Sequence, residues 1–313
     1  MSLMLNLTGL RYFHEVAKLG SIRRAAERLH VSPSAISRMI TKIEHEFQAD
    51  LFERRTKGVR LTAAGRLLAT RLNGVFLQLQ DVRTEIDELK GLRRGDITLY
   101  CIEGIVPDMV PSILSTFHRR YPAVTYNVYT AGTDHIVEAL LGDTADLGIM
   151  FDRVRDPRIQ VILSYTEPLH AMMSPAHALA RRRSVSLREL AEYPVAMPDA
   201  SYGVRRLLDR ALHAKRIAMP MLLTTNSLEL TRGLARSAVA ITFMPPFAAR
   251  RELASGELIA MPIVEKDLLM GTMSVCVRRG RRLSAAASEL IDVIADEFQA
   301  LARKGAGRIT RRR

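Results

Sequence analysis

The side chains whose types and spacing suggest chemistry come early in the chain. Ser34, Ser37, Arg38 and Lys42 fall on one side of a segment whose other side carries Ile36, Ile40, Ile43 and Phe47. This is the period of an amphipathic helix. Hydroxyls and a guanidinium at the start of such a helix can hydrogen-bond base edges in a DNA groove, while Lys42 suits a phosphate. Arg54, Arg55, Lys57 and Arg60 follow around a Thr56-Lys57-Gly58 turn. They could track the neighbouring DNA backbone or minor groove, and a solvated basic hairpin is the plainer alternative. Catalytic chemistry lacks its usual residues: there is no phosphate-cradling glycine-rich motif, no nucleophile elbow, and no metal-ligand spacing among the eight His and two Cys. No catalytic residue, metal or cofactor is therefore assigned.

Groups that read DNA need elements to hold them. Leu10, Phe13 and Ala17 keep a helical period, and Gly20 with Ser21 then ends one helix and caps the next, IRRAAERL. Ala25 and Ala26 allow close approach of a neighbouring helix. His30 and Val31 make a turn before Ser32, a cap, and Pro33, which fits a first helical turn because no amide is needed there. Three short helices with a tight turn before the third match the helix-turn-helix plan, in which the start of the third helix enters the major groove. Ser21, Arg23, Ser32, Pro33, Ser34, Ser37, Arg38, Lys42, Arg55 and Lys57 are the candidate DNA-contacting positions.

LFERRTKGVRLT reads as two short strands around the basic tip, a wing. Thr62 can cap a long helix to about Lys90, in which Leu68, Leu72, Val75, Leu79, Val82, Ile86 and Leu89 recur at spacings of four and three. Such a seam must be covered, and a second copy of the chain is the expected cover.

Whole-chain properties agree. At 313 residues, with 48% hydrophobic and 25% charged residues, the chain is long enough for two or more packed domains. Its net charge of +13 favours a polyanionic partner. Residues 1–66 hold 12 Lys/Arg against 6 Asp/Glu, and the stretch from Arg303 to Arg313 adds six Lys/Arg and no acid. Cys101 and Cys276 lie in apolar runs and read as buried thiols, with a redox pair as the unsupported alternative. The N-terminus lacks the pattern of an export signal and no apolar run is long enough to span a membrane, so a cytoplasmic protein is expected.

From Gly95 onward strand-like and helix-like stretches alternate: ITLYC, 107–121, VTYNVYT, 133–141, DLGIM, then again from about Leu169 to Val264, with a strand at LLMGTMSVCVR and a last helix over 284–302. The alternation implies α/β structure with a mostly parallel sheet. Arg181 to Arg183 reads as a solvated loop, and the tail GRITRRR, without an apolar anchor, as disordered.

GSIRRAAERLHVSPSAISRMITKIEHEF followed by LFERRTKGVRLTAAG resembles the winged helix-turn-helix and linker helix of LysR-type transcriptional regulators. Many relatives carry Gln, a base reader, where Pro33 stands, so readout should shift to Ser34, Ser37 and Arg38. The resemblance implies a winged helix-turn-helix over 1–62, a linker dimerisation helix over 63–94, and an effector-binding domain over 95–302, similar to periplasmic solute-binding proteins. Its subdomains would be 95–166 with 268–302, and 167–267, followed by a basic tail over 303–313. Implied partners are double-stranded promoter DNA, a second copy in a homodimer or homotetramer, a small-molecule effector, and RNA polymerase as a further candidate, with no membrane. The effector would lie between the subdomains, beyond the strand ends, near Glu103, Gly104, Thr133, Phe151, Ser201, Asn226 and Ser227. Thr133 and Ser227 are equally readable as helix caps. Glu103 is either paired with an Arg or faces an effector bearing an amine or hydroxyls, since a carboxylate at the mouth opposes an anion. An enzyme and a nucleoid-type architectural protein are the competing classes; the first lacks motifs and the second has no need of the α/β half.

Overall fold

The computed structural model describes residues 6–55, 58–89, 95–152, 155–304 and 307–311. By contact density it divides into two units, Met1–Arg83 and Thr84–Arg313.

The first unit runs α1 (Leu7–Leu19), α2 (Ile22–Leu29), α3 (Pro33–Phe47), an antiparallel hairpin of β1 (Phe52–Arg55) and β2 (Gly58–Leu61), and α4 (Ala63–Leu89). Caps set the boundaries as the sequence predicts. Gly20 ends α1 in the left-handed region (φ 62) and the Ser21 hydroxyl accepts from Arg24 N at 3.4 Å. Ser32 accepts from Ala35 N at 3.2 Å, with Pro33 opening α3. Val16, not Ala17, takes the inward position of α1. One apolar cluster joins Val16, Ala25, Ala26, Ile36 and Ile40; another joins Leu10, Phe13, Ile43, Leu51 and Leu72.

That second cluster corrects part of the expected dimer seam. Leu72 is 4% exposed inside the core of its own unit, with Leu68 packed against the same cluster. The first turns of α4 are thus the fourth helix of the DNA-binding unit. Further along, Val75, Leu79 and Val82 are 41, 47 and 50% exposed. The Ile86 side chain lies outside the described residues.

The second unit continues with β3 (Gly95–Cys101), α5 (Met109–Arg120), β4 (Val124–Thr130), α6 (Thr133–Leu141), β5 (Leu147–Phe151), β6 (Ile159–Pro168) and β7 (His170–Met173). Next come α7 (Leu187–Leu190), β8 (Val195–Pro198), α8 (Gly203–Lys215), β9 (Met221–Thr225), α9 (Leu228–Arg236) and β10 (Thr242–Met244). It ends with α10 (Arg250–Ser255), β11 (Ile259–Met261), β12 (Met270–Arg278), α11 (Ala285–Lys304) and β13 (Arg308–Arg311). The first subdomain is built on a six-stranded sheet ordered β13-β6-β12-β5-β3-β4. The second holds β10-β7-β11 and the pair β8-β9.

The six-stranded sheet is mixed rather than mostly parallel: β3 pairs in parallel with β4 and β5, whereas β12 runs antiparallel to β5 and β6. β6, which the sequence reading left unassigned, is a ten-residue strand between β13 and β12. The chain crosses between subdomains where β6 gives way to β7 and where the 3₁₀ turn Lys266–Leu269 leads into β12, and the two crossings are tied by Leu169 N donating to Leu269 O at 2.9 Å. The crossings thus lie two to three residues beyond the expected positions.

The basic tail is also corrected. Arg308 to Arg311 form β13, antiparallel to β6, with Ile309 packed on the core and Arg311 bonded to Asp292 at 2.8 Å. Ile309 is the apolar anchor that the charge pattern hid, and its edge position beside basic residues is a usual way to keep a sheet edge soluble. Cys101 and Cys276 are fully buried, and burial pushes both thiols up to about 12.

Two outcomes follow from this packing. Ile309→Asp, measured by thermal unfolding of the full chain, is expected to cost about 1–2 kcal/mol by losing partial burial; an unchanged midpoint would mean that β13 does not hold the sheet edge. At pH 8 an aromatic disulfide reagent should find neither thiol reactive in the native protein and both after denaturation, because no thiolate is formed or exposed.

Candidate functional site

The reading head starts from α3. Ser34, Arg38 and Lys42 are exposed on its outer side and Ser37 is half-buried, while Ile36, Ile40 and Ile43 face inward. Among the described residues, Arg38 and Lys42 have no acidic partner, so both cations remain available to a polyanion. Ser32 is occupied as the helix cap and its hydroxyl also lies 3.1 Å from that of Ser34. Ser21 caps α2, and Arg23 pairs with Glu27 at 3.2 Å on an exposed face. Pro33 is exposed and has no amide to give.

The wing is held to this head by backbone geometry. Val59 N donates to Gly20 O at 3.0 Å, and a Cβ on Gly58 (φ 102) would lie 2.5 Å from that same oxygen, so glycine is required there. The Glu44 carboxylate, on α3, accepts from Leu51 N at 2.8 Å and Phe52 N at 3.2 Å. Thr62 donates to Asp50 O at 2.6 Å and caps α4 through Gly65 N at 2.9 Å. Arg55 lies in β1, but its side chain, and all of Lys57, fall outside the described residues.

In the second unit a cavity opens between the subdomains. Ile102, Phe151, Leu228, Met244, Phe247 and Ala248 supply most of its wall, and nearly all of the surface facing it is carbon. Its free volume is about 30 Å³, room for a water or two; larger and more polar cavities of about 490 and 410 Å³ adjoin it around Asp152 and Arg155. Of the expected residues, Gly104, Thr133 and Phe151 line the cavity and Ser201, Asn226 and Ser227 do not. Thr133 donates its hydroxyl to Phe151 O at 2.8 Å, Ser201 gives its hydroxyl to Asp199 at 2.6 Å, and Ser227 caps α9 through Leu230 N at 3.3 Å. Asn226 contributes its carbonyl to the Tyr202 hydroxyl at 2.7 Å.

Glu103 departs from the Arg-paired reading. Among the described residues it has no Arg partner; it reaches across the cleft to the N-terminus of α9, accepting from Leu228 N at 3.0 Å and Glu229 N at 3.2 Å, and from the Tyr202 hydroxyl at 3.1 Å. Burial, and then the Glu103 charge, raise the Tyr202 pKa and keep the phenol a donor.

Other ties cross the same cleft. Asp152, in the left-handed region at the end of β5 (φ 93), takes Arg210 at 2.8 Å and Arg206 at 3.4 Å. Gly203 abuts Phe151, whose carbonyl a Cβ would approach to 2.2 Å. Arg232, buried beneath the wall, is shared by Glu229 and Glu252 and donates to Ala248 O at 2.7 Å. Tyr202, Phe247 and Ala248 were missed by sequence reasoning; only Tyr202 carried a signal, standing next to the expected Ser201.

Two family models match this chain: that of the bacterial regulatory helix-turn-helix proteins of the lysR family over residues 7–66, and that of the LysR substrate binding domain over 90–299. The chain belongs to the LysR family of transcriptional regulators. As a LysR-type regulator it carries a helix-turn-helix DNA-binding domain and an effector-binding domain, and regulators of this family bind promoter DNA and small-molecule effectors. It is similar to the RuBisCO operon transcriptional regulator of Allochromatium vinosum, 28% identical over 294 residues that cover 93% of this chain and 96% of the relative. It is also similar to the uncharacterized regulator YbhD of Escherichia coli K12, 26% identical over 288 residues covering 92% and 90%. Its fold resembles that of a full-length OxyR variant from Pseudomonas aeruginosa, with TM-score 0.71, 22% identity, and 94% and 95% of the two chains covered. Full-length CbnR complexed with its target DNA matches with TM-score 0.55 and 19% identity over 94% and 100%.

In this LysR-type regulator the Asp152 pairs hold α8 against the first subdomain. Asp152→Asn should lower stability by about 1–2 kcal/mol, after discounting the half-exposed Arg210 for solvent screening. Thermal unfolding checks it, and an unshifted midpoint would show that α8 is held by apolar packing alone.

Proposed function

We propose that this regulator reads an interrupted palindromic promoter site as a homodimer, with α3 of each copy in a major groove and the cleft of the second unit as the effector site. The observation that carries this reading is the pairing of unpartnered Arg38 and Lys42 on the outer side of α3 with an exposed apolar stripe further along the same chain. Val75, Leu79 and Val82 are spaced to form one side of a helix–helix seam, and protein two-fold symmetry is mirrored in the DNA site. Assembly of two dimers into a tetramer, contact with RNA polymerase and a cytoplasmic location extend the same reading. No helix among the described residues is long and apolar enough to cross a membrane. An absence of catalysis fits a cleft whose wall is carbon.

Effector binding would bias pre-existing arrangements of the assembly, which requires different affinity for each. A ligand larger than water requires the apolar cavity to widen, which the Glu103 and Asp152 ties across the cleft oppose.

Sedimentation and DNA binding test the reading together. Leu79→Asp should convert dimer to monomer at micromolar concentration with the fold retained, since that side chain is 47% exposed; a wild type that sediments only as monomer would overturn the seam. Arg38→Ala should weaken specific binding by about 1–3 kcal/mol and relax base preference, whereas Lys42→Ala should lower the salt slope by about 1 without changing preference. Uniform coverage of the chromosome in a genome-wide binding map would instead identify an architectural protein.

A further inference from the structure

We infer that Pro33 is an apolar base reader: its ring meets the 5-methyl group of a thymine in the major groove, so that the half-site carries a thymine where α3 begins. The inference rests on the reading of α3 as the helix that enters the groove. Pro33 is the first residue of α3 and is exposed. Helices of this plan contact base edges with their N-terminal residues. Of the candidate readers on the outer side of α3, Ser34, Ser37 and Arg38 carry polar groups, whereas the Pro33 side chain is carbon alone.

The chemistry of the groove decides what carbon can read. Every base pair presents donors and acceptors along that edge, and thymine adds a methyl group, the one apolar group among them. A proline ring set against a donor or acceptor strips away its water and returns no hydrogen bond, which costs free energy. Set against a methyl group, it removes carbon from water on both sides of the contact. Pro33 thus disfavours a purely polar edge and favours thymine.

The start of α3 keeps this ring in place and leaves it bare. Ser32 caps the helix by accepting from Ala35 N at 3.2 Å, and its hydroxyl lies 3.1 Å from that of Ser34, so the hydroxyls on either side of Pro33 are engaged with each other. A proline has its φ fixed by the ring and gives up no side-chain freedom on contact. Ala35 is half-buried and Thr41 stands further from the helix start, so neither leads into the groove as Pro33 does.

The test alters the DNA first, so that it does not depend on how a variant folds. Selection from random duplexes with the full chain defines the half-site, and each thymine in it is then replaced in turn by deoxyuridine, which keeps every hydrogen-bonding group and removes only the methyl. For wild type, fluorescence anisotropy at fixed salt should show about a fourfold loss of affinity for at least one of these replacements, the worth of one buried methyl-sized group. In Pro33→Ser the same replacement should cost no more than about 1.5-fold, because the ring that met the methyl is gone. A half-site without thymine, deoxyuridine tolerated at every position by the wild type, or an equal loss in Pro33→Ser would overturn the assignment while leaving α3 as the reading helix. Selection that yields no preferred sequence would overturn the reading of α3 and the inference with it.

Discussion

The pairing of β6 with β12 is the constraint on which the effector-binding unit depends. These two strands lie side by side within the six-stranded sheet and carry the chain to and from the second subdomain. Their register runs from Pro168 opposite Met270 to Ile159 opposite Arg278, and the Leu169 N to Leu269 O bond extends it into the crossings. Because two segments rather than one join the subdomains, relative movement is confined to bending about this ladder. Everything that meets in the cleft follows from that confinement. Glu103 can find the start of α9, and Asp152 can find α8, only because the subdomains are kept at a fixed separation and facing.

The same logic of few, well-used polar groups governs the cleft and the reading head. Each places one carboxylate where backbone amides would otherwise be orphaned: Glu103 at α9, and Glu44 at Leu51 and Phe52. In the head this fixes the wing relative to α3. In the cleft it ties the 3₁₀ turn at Glu103 to the start of α9. Residues that look chemically capable in isolation, such as Thr133, Ser201 and Ser227, spend their hydroxyls on the protein itself.

Local signals were legible wherever the interaction they encode is short in sequence. Ser21, Ser32 and Thr62 act as caps, Gly20 and Gly58 turn as required, and α3 buries the side that its apolar period indicates. Capping and amphipathic period depend on neighbours a few residues away, so the chain states them directly. The heptad pattern of α4 was read as one continuous seam, but the period alone cannot say what covers each turn. Leu68 and Leu72 meet Leu10, Phe13 and Leu51 of their own unit, and only Val75, Leu79 and Val82 remain exposed.

Sequence by itself determined the family, the reading head, the order of most strands and helices, and the segments bordering the cleft. Tertiary structure alone decided β6, β13 and the partner of Glu103. β6 is stabilised by strands more than a hundred positions away, β13 by one apolar side chain meeting an open sheet edge, and Glu103 by amides 125 and 126 residues further on. Such pairings leave no local period or motif, because the free energy that selects them is released only when distant segments are brought together.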